Sequence, residues 1–291
     1  MDPEELIEIV SSGERELCAE LALVLESQSI PSQIRWNGHA WVLSVAAEAV
    51  APARLEIAAY RAERATVRPA PVLATASGDC WTGVAVYAAV ILGMALVAPE
   101  MRFGFDWLSA GGMDSAALKS GEWWRPITAL SLHADAAHVL GNAAFGAFFG
   151  YTVARYIGSG FGWLAIVAGG ALGNLANAFL SGPDHRSIGA STAVFAALGL
   201  LSAYCWRRGF PPNASRRERL APIFAGIGLL AFTGTGGENT DIGAHLLGFV
   251  AGFVNGLLIA RFGFPRSDAV QRASAAVLVG LFIVAWIAAL T

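Results

Sequence analysis

Charge is what this chain has least of. Asp, Glu, Lys and Arg make up 14% of its 291 residues, against roughly a quarter in an average soluble domain. Lys119 is the only lysine, and the formal net charge is −3. Nothing in this balance suggests nucleic acid or an acidic substrate. Cysteine is scarce as well: Cys18, Cys80 and Cys205 have neither metal-ligand spacing nor the even number of a disulfide framework, so they read as inert thiols. The acidic start Met1-Asp2-Pro3-Glu4-Glu5 is followed by no long apolar stretch, which argues against a cleaved secretory signal. No internal repeat or low-complexity segment stands out.

What is abundant is apolar surface. Hydrophobic residues reach 55% with a mean hydropathy of +0.55, the composition of a polytopic, all-α membrane protein. Residues 1–75 are the exception. Leu6–Val10 reads as a strand, Glu14–Glu26 as an amphipathic helix through Leu17, Leu21, Val24 and Leu25, and Ile30–Trp36 and Trp41–Val45 as strands joined at Asn37-Gly38. Glu48–Arg64 completes a βαββα order of ferredoxin-like type, with Pro52 tolerated near its first turn. The unit carries no catalytic motif, and His39 reads as a solvated turn residue. Val67–Gly78 has the composition of a linker.

From Trp81 onward seven apolar stretches are candidate membrane spans: Trp81–Ala98, Leu132–Tyr156, Phe161–Leu180, Ile188–Trp206, Leu220–Phe232, Gly243–Phe262 and Ala273–Leu290. The fifth is the weakest, short and broken by the glycines of 234–237. Arginines crowd alternate loops, among them Arg61, Arg64 and Arg68 before the first span, Arg155, Arg207 to Arg219, and Arg261 to Arg272. The positive-inside rule then makes the N-terminal domain cytoplasmic.

Polar residues inside spans are functional hypotheses by default. The second span holds His133, His138 and Asn142; the fourth opens on Gly189-Ala190-Ser191-Thr192; the sixth opens on Asp241-Ile242-Gly243-Ala244-His245. These three spans all enter from the non-cytoplasmic side, so the polar groups share one shallow layer. Ser191 is the candidate nucleophile and His245 its general base, a dyad in which Asp241, one turn earlier, is the candidate for a third member. His138 and Asn142, four apart, lie on one helix face and supply candidate oxyanion donors. Gly189 and Ala190 leave room beside Ser191, and Gly248-x-x-x-Gly252 offers a close-packing face on the His245 stripe. His133 and His138, five apart, do not share a helix face well, which argues against a metal site built from both. His185 reads as a solvated loop residue.

Four segments resemble the rhomboid family of intramembrane serine proteases: Glu122-Trp123-Trp124-Arg125-Pro126, the His133/His138/Asn142 spacing, Gly189-Ala190-Ser191, and Ala244-His245 through Gly248 to Gly252. They occur in the family's order between Trp81 and Phe262. The resemblance implies a six-helix core (residues 76–265) whose active site opens to the non-cytoplasmic side, a Ser191–His245 dyad, and an oxyanion hole of His138 and Asn142. It implies a structural role for Trp124 and Arg125 in the first loop, and Phe195, one turn after the serine, packed on the catalytic histidine. Residues 266–291 add a seventh span. The expected function is a serine endopeptidase acting on single-span membrane proteins in the lipid bilayer, without metal or organic cofactor, in a bacterial inner membrane. The alternatives are an inactive membrane-segment escort and, from another class, a transporter with His138 and His245 on its pathway.

Overall fold

The computed structural model describes residues 6–66, 75–76, 78–99, 101–209, 214–233, 240–264 and 266–291. The chain divides into two units, Met1–Pro69 and Ala70–Thr291. The first runs β1 (Leu6–Ser12), α1 (Arg15–Ser27), β2 (Ser32–Trp36), β3 (Trp41–Ala46) and α2 (Val50–Thr66), the βαββα order expected. The sheet is antiparallel with order β1-β3-β2. As the central strand, β3 buries Leu43 and Val45 against Cys18, Leu21 and Leu25 of α1 and Ala53 and Ile57 of α2. The hairpin turn closes where Asn37 Oδ1 accepts the N–H groups of His39 and Ala40 at 3.0 and 2.9 Å, an arrangement Asn favours. Gly38 takes φ +100° there. Pro52 is the third residue of α2, where a missing N–H costs nothing.

The second unit begins with α3 (Trp81–Val97). A long loop follows, holding α4 (Trp107–Gly111), β4 (Met113–Asp114), α5 (Ser115–Lys119) and α6 (Arg125–Thr128). Then come α7 (Ala136–Ile157), α8 (Ser159–Leu180), β5 (Arg186–Ser187), α9 (Ser191–Arg208), α10 (Arg216–Thr233), α11 (Ile242–Phe262) and α12 (Asp268–Leu290). Among the described residues after residue 80, seven long helices thus fall on the seven expected stretches. The Gly-rich run at 234–237 lies outside the described residues, as does most of the expected linker.

Length and apolarity alone single out α8, α11 and α12 as membrane-crossing, with α3 a shorter apolar helix. Helix α9 is only 18 residues long and ends on Arg207 and Arg208, which lower its mean apolarity. Every residue from Thr192 to Tyr204 is buried within the bundle, so α9 faces protein rather than lipid. In α10 the arginines of its first turn and the internal Pro222 dilute the signal.

Two helix starts fall later than expected. The second span was expected from Leu132, but α7 begins at Ala136, because Asp135 caps it by accepting the His138 N–H at 2.8 Å. His133 therefore precedes the helix. The fourth begins at Ser191 rather than Ile188, since Gly189 adopts φ +136°, a left-handed conformation that ends helical continuity.

Candidate active site

The approach of α9 to α11 is set by glycine. A Cβ on Gly248 would overlap the carbonyl oxygen of Thr192, one on Gly252 that of Ala196, and one on Gly256 that of Leu200. The expected G-x-x-x-G face thus extends one turn further, to Gly256, and each glycine meets a carbonyl one turn along α9. Gly199 returns the fit against the Phe249 carbonyl. With no side chains between them, the backbones touch.

That contact delivers the first residue of α9 to the first turn of α11. The Ser191 Oγ and His245 Nε2 lie 2.8 Å apart, hydrogen-bonding distance for a nucleophile and its base. Phe195, one turn on, sits with its ring centroid 4.5 Å from that of His245, and both are buried. As the first residue of its helix, Ser191 has its N–H among the leading amides that lack an intrahelical acceptor.

On α7, Asn142 is 7% exposed, and its Nδ2 has no hydrogen-bond partner among the described residues. A buried donor left unsatisfied demands an explanation. The Asn142 carbonyl accepts the Tyr87 hydroxyl at 2.7 Å, which ties α7 to α3. His138 lies beside Gly189: a Cβ there would fall 2.8 Å from the His138 Cε1 and Nε2 and 3.4 Å from the Ser191 Oγ. The imidazole edge and the hydroxyl therefore converge on one point. The room expected beside Ser191 is accordingly not open, since His138 fills the space that Gly189 leaves. Ala190 is also buried, and its N–H donates to His133 Nε2 at 3.4 Å.

His133 does not share a helix with His138. Because it precedes α7, face arithmetic does not apply, and the two rings meet edge-on with centroids 5.1 Å apart. Its place is behind the loop that presents Ser191.

Asp241 caps α11. Its Oδ1 accepts the Ala244 N–H at 3.0 Å; its Oδ2 accepts from Asn177 Nδ2 at 2.8 Å and lies 3.0 Å from His185 Nε2. Both oxygens are thereby committed to the helix start and to α8 and its following loop. His185, expected to be solvated, is half-buried in this cluster, also 3.0 Å from Asn177 Nδ2. No spacing rule signals it, since Asn177, His185 and Asp241 are far apart in sequence.

With this geometry the chain can be set beside known proteins. A rhomboid domain matches residues 120–262. The chain is 30% identical over 179 residues to the rhomboid protease GluP of Bacillus subtilis, covering 60% of this chain and 33% of that protein. It is 31% identical over 144 residues to rhomboid-like protease 1 of Toxoplasma gondii, covering 48% of each. It thus spans less than half the length of these two relatives. The rhomboid domain starts in the loop before α6 and ends with α11, leaving α3 and α12 outside the match.

Within the rhomboid domain Trp124 and Arg125 fasten the long loop. Arg125, 8% exposed, donates from Nε to Glu122 Oε2 at 2.7 Å and from Nη1 to the Ser109 and Gly112 carbonyls at 3.0 and 2.5 Å. A buried guanidinium needs such full pairing. The Trp124 indole donates to the Ala110 carbonyl at 3.2 Å. Strand β4 then pairs with β5, just ahead of Ser191, so the loop is stitched to the segment that leads into α9.

Proposed function

We propose that this protein is an intramembrane serine endopeptidase in which Ser191 is the nucleophile and His245 its general base. The observation that carries the reading is the 2.8 Å contact between Ser191 Oγ and His245 Nε2, with the unsatisfied Asn142 amide nearby on α7. With its proton on Nδ1, neutral His245 accepts the Ser191 hydroxyl proton as Oγ attacks the scissile carbonyl carbon. The carbonyl π electrons move onto oxygen, and His138 and Asn142 donate to that oxyanion. Collapse breaks the C–N bond, and His245 returns the proton to the departing amine. Water then repeats the sequence on the acyl ester. Asp241, whose oxygens are engaged elsewhere, acts by starting α11 in register.

The substrate class is a single-span membrane protein. A helix in lipid has every backbone group hydrogen-bonded, so it must unwind locally before a carbonyl meets Ser191. Residues 76–265 form the catalytic core and 266–291 an added helix. By the arginine asymmetry of the loops, residues 1–75 are cytoplasmic and the site opens to the opposite side. The relatives named as proteases and the rhomboid domain support this reading.

The decisive comparison is wild type against Ser191→Ala in lipid vesicles with a labelled single-span substrate. The variant is expected to lose at least about 10,000-fold in rate, as loss of a serine nucleophile does elsewhere. A fluorophosphonate should label wild type and fail to label His245→Ala. Cleavage that persists in Ser191→Ala sinks the reading, and absence of both cleavage and labelling in wild type points to an escort.

A further inference from the structure

Helix α12 is pinned at two places. Near its start Gln271 reaches the turn between α7 and α8, accepting the Phe161 N–H at 3.0 Å and donating to the Ile157 carbonyl at 3.3 Å. Gly158 and Gly160 make space for it, since a Cβ on either would overlap Gln271. Near its end Trp286 lies on Gly111 and meets the ring of Trp107 at 5.3 Å. Between these anchors a cleft of about 550 Å³ separates α12 from α3, α8 and α9. Its walls are apolar, among them Val86, Ile91, Trp163, Val194, Leu278 and Phe282. One mouth is polar, with Asp79, Ser159, Gln271 and Arg272, and a smaller cavity of about 170 Å³ shares those four residues. The inner end reaches Ser131 and Ala190.

We propose that this cleft binds one acyl chain of an anionic phospholipid, with the headgroup phosphate at Arg272. Length supports this occupant. The lining residues Gln271 to Ile283 on α12 span about 18 Å at 1.5 Å per residue, close to the depth of one leaflet in a hydrocarbon core about 30 Å thick. The anchors argue against the other candidate. With α12 fastened through Gln271 and Trp286, a substrate helix could enter only by breaking those contacts, whereas a single acyl chain can lie between them. An apolar void of this size is unfavourable when empty and does not hold water.

One cation at the mouth, Arg272, favours a phosphate. The Asp79 carboxylate is occupied by the Trp81 and Thr82 N–H groups, at 2.8 and 3.0 Å, and by the Thr82 hydroxyl. Arg272 has no ion pair or hydrogen bond among the described residues, and Asp268, one turn before it, makes no ion pair with it. A planar guanidinium free to pair is the natural partner of a phosphate oxygen.

Trp163 makes the idea measurable. It lines the cleft yet is only 7% exposed, so lipid outside the protein does not reach its ring. Its indole nitrogen has no hydrogen-bond partner among the described residues, so Trp163→Phe costs no bond. The full chain is placed in nanodiscs of phosphatidylglycerol carrying brominated acyl chains, and the Trp163 contribution is taken as wild type minus Trp163→Phe. That contribution should be quenched at least twofold. In Ala275→Phe or Val86→Phe, which fill the cleft from opposite walls, the quenching should vanish while fluorophosphonate labelling persists. Arg272→Glu should restore emission in phosphatidylglycerol. An unquenched Trp163 in wild type overturns the proposal even if neither filled variant folds. So does quenching that survives the filling, or quenching relieved by a single-span peptide, which would make the cleft a substrate groove.

Discussion

Asn142 concentrates the energetics of the site in one side chain. A buried amide without a partner is destabilising to the resting fold by roughly 1–3 kcal/mol, so its persistence fits a donor held ready for charge that develops only during reaction. Asn142→Ala should therefore lower kcat by about a hundredfold or more while raising, or leaving unchanged, the temperature of unfolding. A fall in both activity and stability would instead mark Asn142 as packing. The candidate site residues were legible in the sequence because polar side chains are rare in its spans. What stayed hidden was their support. His185 and Asn177 meet Asp241 across three separate segments, and no local spacing encodes a contact made by tertiary folding. The nearness of the His133 and His138 rings was hidden for a related reason: it depends on where α7 starts, which the Asp135 cap decides.

The pairing of α9 with α11 belongs to the scale of elements. Three glycines of α11 sit against three successive α9 carbonyls, so any side chain at the middle one must push the backbones apart. Gly252→Val should separate the helices enough to lengthen the Ser191–His245 contact. Fluorophosphonate labelling should drop at least about tenfold, in the range expected when a misplacement of about 1 Å costs up to a hundredfold. The control is Gly280→Val on α12, where a Cβ meets nothing within 4 Å; equal loss in both variants would refute the glycine contact as the cause. The first two rungs of this ladder were readable from their spacing of four. The buried character of α9 was not, since its Ala, Gly, Ser and Thr content looks the same on a helix wrapped by protein as on one with a small-residue stripe.

For the molecule as a whole, the two units answer to different physics. In the first, Glu20 of α1 accepts the Tyr60 hydroxyl at 2.6 Å and pairs with Arg64, both from α2. The Tyr60 hydrogen bond, followed by that of Arg64, holds the Glu20 carboxyl below its ordinary range. Such a group contributes stability that is complete above the ordinary carboxylate value and is lost as pH falls through the lowered folded value. Amide-exchange protection factors over residues 6–66 in the full chain should decline as pH drops from about 5 towards about 3. In Tyr60→Phe the decline should be smaller and should end at higher pH, and an unchanged profile would remove Glu20 from the account. This unit was the most readable part of the fold, since strand alternation, the Asn37-Gly38 turn and the amphipathic α1 all agree. Membrane helices give weaker boundaries, because a bilayer rewards apolar length without fixing the residue at which a helix begins.

The backbone contact between α9 and α11 also sets how the protein meets membranes of different thickness. A bilayer that thins or thickens tilts helices at a modest energetic cost per ångström. Two helices interlocked through carbonyls and glycines tilt as one body, so the distance from Ser191 to His245 is insulated from the host lipid. Labelling by a small fluorophosphonate should therefore proceed at the same rate in vesicles of short and long acyl chains. Cleavage of a single-span substrate should vary between them, because its helix adjusts to the bilayer independently. Equal lipid dependence of the two rates would mean the pair is not insulated.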